Sequence, residues 1–178
     1  MIWSKLKKSL EALLADSVKK HLQLHLTRYG PGVSSLMNRA RITWDGEEIN
    51  TFSTIRWFKA LHTVATQMYE NGERKERPGF FDQSEDLVER LEQRGVYSRD
   101  DFYDALETYL SLPIEEALHS SNALIRAWAM FDRRLGKRRL LSMGFKQTDP
   151  PFVERWYQLR CKAEGIAVGN EERDHEGA

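Results

Sequence analysis

The densest group of chemically useful side chains is a basic block in the last third of the chain. It places five cations within seven consecutive positions: Arg133, Arg134, Lys137, Arg138 and Arg139. The planar guanidinium group of arginine fits carboxylate and phosphate oxygens, so the block can bind an anion or an acidic surface. Two placements are open. A helix that runs through Gly136 collects the cations on neighbouring faces, whereas a helix that ends there leaves Arg138 and Arg139 to pair with acidic helices.

Two further pairs of residues are secondary candidates for binding. Arg39 and Arg41 alternate with apolar residues in a predicted strand, which places both on its water-facing side. Phe80 and Phe81 lie in a predicted loop, where adjacent aromatic side chains usually anchor the loop to the core. The alternative is that these two rings form a binding hot spot for a partner.

Metal ligands and catalytic groups form no strong pattern. Glu116 and His119 are spaced as in di-iron helical bundles, but such a site needs this unit twice and it occurs once. His21 and His25 would stand about 13 Å apart on a strand, too far to share one ion. Cys161 is the single cysteine, and the sequence contains no nucleotide-binding loop or nucleophile-elbow motif. We therefore expect no metal and no cofactor.

The elements that position these candidates change in type along the chain. Apolar residues at helical spacing predict an amphipathic helix over residues 3–15. Strict alternation of apolar and polar residues then predicts two strands, and Asp45-Gly46 is a turn signal that joins the second to a third strand over residues 47–53. These segments predict a three-stranded antiparallel meander, and Ser53 or Thr54 can cap the helix that follows it.

Every segment after residue 83 is typical of a helix. Gly95 can end the first of these helices, and Ser98 with Asp101 resembles a capping box at the start of the next. We predict an α+β protein with an N-terminal helix, a three-stranded antiparallel meander and a helix, followed by a helical subdomain. The predicted parts are an α/β meander part at 1–70, a loop or linker at 71–83, a helical subdomain at 84–166 and a disordered tail at 167–178.

Composition excludes several classes of protein. The 178 residues include 40% hydrophobic and 11% aromatic side chains, which is enough for a packed core and too much for a disordered chain. The 27 basic and 27 acidic side chains cancel, but residues 82–131 carry 11 acidic and 4 basic groups between two basic flanks. With one cysteine and no apolar run of about 20 residues, we expect a cytoplasmic protein without a membrane span.

Three motifs together resemble a family of small uncharacterised bacterial proteins. They are the opening W-S-K-L-K-K, the W-D-G-E-E-I of the predicted hairpin and the D-R-R-L-G-K-R-R-L that contains the basic block. The resemblance covers the chain from Trp3 to about Ile166. It implies a bacterial, intracellular, self-contained domain, and it assigns no catalytic residue.

These observations favour a non-enzymatic protein-interaction or regulatory protein, of the inhibitor or immunity type, that binds another protein through the basic block. One alternative is phosphate or nucleic-acid binding through the same block, with help from Arg39 and Arg41, although no recognition-helix or RNA-binding aromatic motif accompanies it. Another is an enzyme with an unrecognised site, in a cleft that holds His62 or His119 beside a carboxylate. No feature of the sequence indicates which oligomeric state the protein has.

Overall fold

The computed structural model describes residues 2–28, 34–143 and 149–167 and has the predicted α+β fold. Its helices are α1 (Trp3–Leu13), α2 (Asp16–Lys19), α3 (Thr54–Glu70), α4 (Glu85–Gln93), α5 (Arg99–Ser111), α6 (Ile114–His119), α7 (Ala123–Met130), α8 (Lys137–Leu141) and α9 (Pro151–Ala163). Within the described ranges, none of these helices is long and apolar enough to cross a membrane. The tail predicted at 167–178 lies outside the described residues, apart from its first position.

Three antiparallel strands form the sheet in the order β1 (Leu22–Thr27), β2 (Arg39–Trp44) and β3 (Glu47–Ser53). The turn between β2 and β3 is Asp45-Gly46, with φ values of 52° and 86°. Both values are in the left-handed region, which a two-residue hairpin turn of this kind requires. The predicted meander is therefore confirmed.

The main core lies between one face of the sheet and the helices α1, α5, α7 and α9. Its centre is aromatic, because the Trp156 ring lies 4.9 Å from both the Trp128 and the Phe131 rings. Phe52 of β3 stacks on Phe102 of α5 at a centroid distance of 4.6 Å. This core combines residues of the predicted first part with residues of the predicted helical subdomain, and the division into domains stays a prediction.

A second, smaller apolar cluster lies between α3 and α4. It consists of eight buried residues: Trp57, Phe58, Leu61, Val64, Ala65, Met68, Leu87 and Leu91. The connection between the two helices is fixed by Arg74, which pairs with Asp82 at 2.7 Å and donates to the Ser84 hydroxyl oxygen at 3.2 Å. The α3–α4 unit thus has its own apolar centre beside the main core.

The first helix is shorter than predicted. α1 ends at Leu13, because the backbone after it pairs with a distant segment. Leu14 forms an antiparallel bridge with Asp132, and the Ala15 N–H donates to the Phe131 oxygen at 2.9 Å. These hydrogen bonds satisfy the backbone in an extended conformation, so they replace the last two residues of the predicted helix.

Candidate functional site

The basic block does not lie on one continuous helix. α7 ends at Met130, and Gly136 is the residue that precedes α8. The two helix placements considered above, a helix through Gly136 and a helix that ends there, are both wrong, but the pairing expected with the second is found for Arg139, which pairs with Glu115 of the acidic helix α6. The physical reason is a long-range hydrogen bond from the Arg133 N–H to the Leu13 oxygen at 2.8 Å, which continues the pairing after α1 and holds the start of the block outside any helix.

Arg134 binds a buried carboxylate. The Asp132 side chain is fully buried, and its Oδ2 accepts from Arg134 Nη2 at 2.6 Å and from Arg134 Nε at 2.9 Å. The Tyr109 hydroxyl donates to the same oxygen at 2.5 Å. Burial, reinforced by Asp132, raises the pKa of Tyr109 above its usual range, so the hydroxyl keeps the proton that it donates. Arg134 therefore neutralises an internal charge and stabilises the fold.

Two more cations of the block pair with carboxylates that lie far away in the sequence. Lys137 Nζ lies 3.2 Å from Glu164 Oε2, just after α9, and donates to the Glu164 backbone oxygen at 3.1 Å. The Ser17 hydroxyl donates to Glu164 at 2.6 Å, and this bond, with help from nearby cations, lowers the pKa of Glu164. Arg139 pairs with Glu115 of α6. These contacts hold α8 against α6 and α9.

The remaining cations of the block, Arg133 and Arg138, are exposed. In the part of the chain that the structure describes, no ion pair involves either side chain. Arg133 has only a minor influence on Asp16, whose pKa is lowered mainly by Lys19. Leu141 follows Arg138 by three residues on the same side of α8, and 64% of it is exposed. Arg133 precedes α8 by four residues, and we use the name α8 surface for Arg133, Arg138 and Leu141 together.

A cavity of about 350 Å³ lies beside the block, between α6, α7, α8 and α9. Its polar lining consists of Glu115, His119, Arg126, Arg139, Ser142 and Asp149. His119 Nδ1 lies 2.8 Å from the Glu115 backbone oxygen, and it must donate because a carbonyl oxygen only accepts. The other ring nitrogen of neutral His119 is therefore a proton acceptor. The carboxylates of Glu115 and Asp149, which pair with Arg139 and Arg126, line the same cavity.

The cavity wall contains a buried ion pair that the sequence analysis missed. Arg126 pairs with Asp149, and its Nη1 donates to the Ser120 oxygen at 2.5 Å and to the Ser121 oxygen at 2.8 Å. It thereby satisfies carbonyl groups at the end of α6. A signal for this pair exists in the sequence, because Arg126 is the one charged residue in the apolar run 123–131, and a charge in such a run is rarely buried without a partner.

The secondary candidates Arg39 and Arg41 lie on the sheet face that points away from the main core. Arg41 is directly opposite Thr51 in the neighbouring strand, and its Nη1 lies 3.9 Å from Glu48 Oε2. Among the described residues, no hydrogen bond or ion pair joins these arginines to the basic block. The structure therefore holds two separate groups of arginines.

Phe80 and Phe81 contact the second apolar cluster and are also exposed. The Phe81 ring lies 5.0 Å from the Phe58 ring, and the Phe80 ring lies 6.4 Å from it. The exposed fractions are 38% for Phe80 and 61% for Phe81. The two rings are thus anchored on one side and accessible to a partner on the other.

Three further candidates, His21, His25 and Cys161, have ordinary surroundings. His21 Nδ1 lies 2.6 Å from Asp45 Oδ1, and His25 Nε2 lies 3.0 Å from the Thr43 hydroxyl oxygen. Cys161 is buried. Within residues 2–28, 34–143 and 149–167, no three His, Cys, Asp or Glu side chains lie close enough together to hold a metal ion.

Comparison with protein-family models identifies the family of the chain. It belongs to the SF0329 protein family, whose model matches residues 2–161. This match confirms that the resemblance extends over nearly the whole chain. Neither the comparison with curated proteins nor the comparison with solved structures gives a match.

Proposed function

We propose that this protein is a non-enzymatic interaction protein that binds an acidic partner protein on the α8 surface. One observation carries the proposal. Three cations of the basic block already pair with carboxylates of the same chain, whereas Arg133 and Arg138 are exposed and form no ion pair with any described residue. Arginine is enriched in protein interfaces, and Leu141 adds exposed apolar area one helical turn from Arg138.

The paired cations support this surface by holding it rigid. Lys137 and Arg139 tie the short helix α8 to Glu164 and Glu115, and the buried Leu140 fixes its inner side. A surface that is ordered before binding loses less conformational entropy when a partner docks. Acidic side chains of the partner would find in place two guanidinium groups that pair with no carboxylate in the described part of the chain.

Intramolecular pairing also argues against phosphate binding along the whole block. Only two cations remain for phosphate contacts, so the logarithm of a nucleic-acid affinity would fall with the logarithm of salt concentration with a slope of about −2. Typical nucleic-acid interfaces neutralise several more phosphates than that. The geometry therefore favours an acidic protein surface as the partner.

The test is capture of partners by two matched charge-reversed variants. The first is Arg133→Glu with Arg138→Glu. The control is Lys5→Glu with Lys8→Glu on α1, which makes the same change of charge at two exposed lysines. Each protein is used as bait in a lysate of the native cell, and the bound proteins are identified by mass spectrometry. Circular dichroism checks that all three baits are folded.

We expect at least one acidic protein to bind the wild type and the control and to be lost from the Arg133/Arg138 variant. If all three baits retain the same proteins, the α8 surface is not the docking site. Labelled RNA and DNA, titrated at low and high salt, form the second arm. Nucleic-acid binding that disappears with the Arg133/Arg138 variant would replace the protein partner by the phosphate alternative.

A second candidate function rests on the cavity beside α8, whose lining includes His119 and the carboxylates of Glu115 and Asp149. A histidine with a free acceptor nitrogen beside a carboxylate is the arrangement of a general base, so the cavity favours an enzyme that acts on a small ligand. The test is NMR of the His119 ring during addition of pooled phosphorylated and carboxylated metabolites. A shift that is lost when Ser142→Trp fills the cavity would support this candidate, and an unchanged ring signal would contradict it.

A further inference from the structure

The outer face of the sheet, which points away from the main core, carries the two arginines that the proposed function does not use. Arg39 and Arg41 are two residues apart on the central strand β2, so both side chains lie on this face, about 7 Å apart along the strand. In β3, Ser53 is directly opposite Arg39 and Thr51 is directly opposite Arg41. Opposite side chains of an antiparallel pair have Cβ atoms about 5 Å apart. The two guanidinium groups and the two hydroxyl groups therefore form one compact group.

Several polar atoms of this region are buried without a partner. They are Arg39 Nε, Arg41 Nε and the Thr51 hydroxyl oxygen, none of which has a hydrogen-bond partner among the described residues. The hydroxyl oxygen of Thr54, the first residue of α3, is a fourth such atom, and Thr54 is only 5% exposed. Nine buried side-chain atoms lack a partner in the described ranges, and four of them lie in this one region. Buried polar groups are normally hydrogen-bonded, so this concentration points to a bound ligand or ion.

The chemistry of the unpaired groups selects an anion. An arginine Nε–H can only donate, so its partner must be an acceptor, and a threonine hydroxyl can donate to the same acceptor. The strand register places three charged side chains on this face: Arg39, Arg41 and Glu48. Among the described residues, the one ion pair of these arginines is long, with 3.9 Å between Arg41 Nη1 and Glu48 Oε2. The donors of this face thus exceed its acceptors, and the charge is positive.

The start of α3 favours the same kind of ligand. α3 has 17 residues and follows β3 directly, with Ser53 as its N-cap. The Ser53 side chain makes no capping hydrogen bond, and the first turn contains no acidic side chain but includes the exposed Arg56. The first N–H groups of a helix have no partner within the helix and carry a partial positive charge, so they attract anions.

We propose that this region binds phosphate, either free or as the terminal group of a small molecule. The phosphate site is the set of residues with the unpaired atoms: Arg39, Arg41, Thr51 and Thr54. Both arginines are half-buried, with 34% of the Arg41 side chain exposed, so a phosphate reaches the open ends of the guanidinium groups and draws their Nε–H groups toward its oxygens. It replaces the long contact of Arg41 with Glu48.

The number and direction of the donors favour phosphate over other anions. A carboxylate offers two oxygens, whereas a phosphate group offers three strong acceptors, which suits donors that come from two strands and from a helix. Two arginines neutralise a single phosphate dianion. A nucleic acid needs a row of cations along its backbone, and this face has none beyond these two, so a small ligand fits better.

The first experiment follows the arginine Nε–H signals by NMR while inorganic phosphate replaces chloride around the isotope-labelled full chain at constant ionic strength. The single variants Arg39→Lys and Arg41→Lys assign the two signals, because each variant lacks one Nε–H. We expect both signals to shift and saturate together, with a dissociation constant on the order of millimolar. If neither signal shifts up to about 50 mM phosphate, the proposal is overturned.

The second experiment measures the phosphate affinity of variants by calorimetry. Arg39→Gln with Arg41→Gln should weaken binding at least ~30-fold, because it removes two charge-assisted donors. The control, Lys5→Gln with Lys8→Gln, removes the same charge from two exposed lysines of α1 and should keep the wild-type affinity. If the arginine variant also keeps that affinity while it is folded by circular dichroism, phosphate binds elsewhere and the proposal is wrong.

Thr51→Val separates binding from folding. The Thr51 hydroxyl has no partner among the described residues, so a methyl group of the same shape should not lower Tm. The same change removes a donor to the phosphate and should weaken its binding about 10-fold. A merely structural role of Thr51 predicts the opposite result, a lower Tm with unchanged affinity, which would contradict the proposal.

Three probes distinguish the sources of the phosphate group: inorganic phosphate, glycerol phosphate and a short single-stranded RNA. Tighter binding of glycerol phosphate than of inorganic phosphate supports a phosphorylated small molecule as the ligand, and equal binding supports the phosphate group alone. Binding of the RNA without binding of either small probe would overturn the proposal. These results do not depend on the α8 surface, because the phosphate site lies on the sheet and α3.

Discussion

The neighbouring arginines Arg133 and Arg134 differ in what their removal should do to stability. Arg134 binds the fully buried Asp132 through Nε and Nη2 at 2.9 and 2.6 Å and also donates to the Leu112 oxygen at 3.0 Å. Arg133 is exposed and forms no ion pair with any described residue. We therefore expect Arg134→Ala to destabilise the fold and Arg133→Ala to leave it nearly unchanged.

The magnitude follows from the charge that Arg134→Ala would leave behind. Removing one partner of a buried ion pair costs about 3–5 kcal/mol. Asp132 would keep its hydrogen bond from Tyr109, and the Arg134 side chain is 32% exposed, so water could enter in its place. These two facts place the loss at the lower end, at about 3 kcal/mol, which lowers Tm by about 6–12 °C in a chain of this size.

The assay is urea unfolding followed by circular dichroism at pH 7, together with thermal unfolding. Arg133→Ala is the matched control, and its free energy of unfolding should stay within about 0.5 kcal/mol of the wild type, as for most exposed positions. Equal losses from the two substitutions would refute the reasoning, because the buried carboxylate would then not distinguish the two arginines.

Two further predictions concern a glycine and a carboxylate. Gly95→Ala should destabilise the protein by more than Gly72→Ala. Both positions have positive φ, but only at Gly95 would the new Cβ come 2.9 Å from the Phe152 ring. The urea midpoints of both variants check this prediction. Glu164→Gln should reduce the free energy of unfolding most near neutral pH, because the hydrogen bond from Ser17 lowers the Glu164 pKa below its ordinary 4.5. The difference in stability from the wild type should fade as the pH drops through and below this lowered pKa. A difference that does not depend on pH would contradict the prediction.

Local signals in the sequence correctly predicted much of the fold. The Ser98 hydroxyl accepts from the Asp101 N–H at 3.1 Å and the Asp101 carboxylate accepts from the Ser98 N–H at 2.7 Å, which confirms the capping box. Gly95 follows α4 with a φ of 72°, as expected of a glycine that ends a helix. Each of these features depends on residues within one turn of each other, so their chemistry can be read from adjacent positions.

Long-range contacts decided what the basic block does. Its partners Glu115 and Glu164 lie 24 and 27 residues from the cations that they bind, and no local pattern indicates which carboxylate meets which cation. A long-range contact also explains why α7 ends at Met130. The apolar spacing typical of a helix continues to Leu135, but the backbone leaves the helix and the Arg133 N–H donates to the Leu13 oxygen. Propensity acts within a segment, and a hydrogen bond from a distant segment can outweigh it.

The amino-acid sequence by itself determined the α+β class, the hairpin at Asp45-Gly46 and the presence of five clustered cations, because periodicity, turn chemistry and charge are properties of neighbouring residues. Only the tertiary structure decided that Arg133 and Arg138 form no ion pair with any described residue while the other cations of the block are neutralised. It also decided that Phe80 and Phe81 stay exposed. Whether a side chain is available to bind a partner depends on which residues from distant parts of the sequence lie beside it, and only folding brings those residues together.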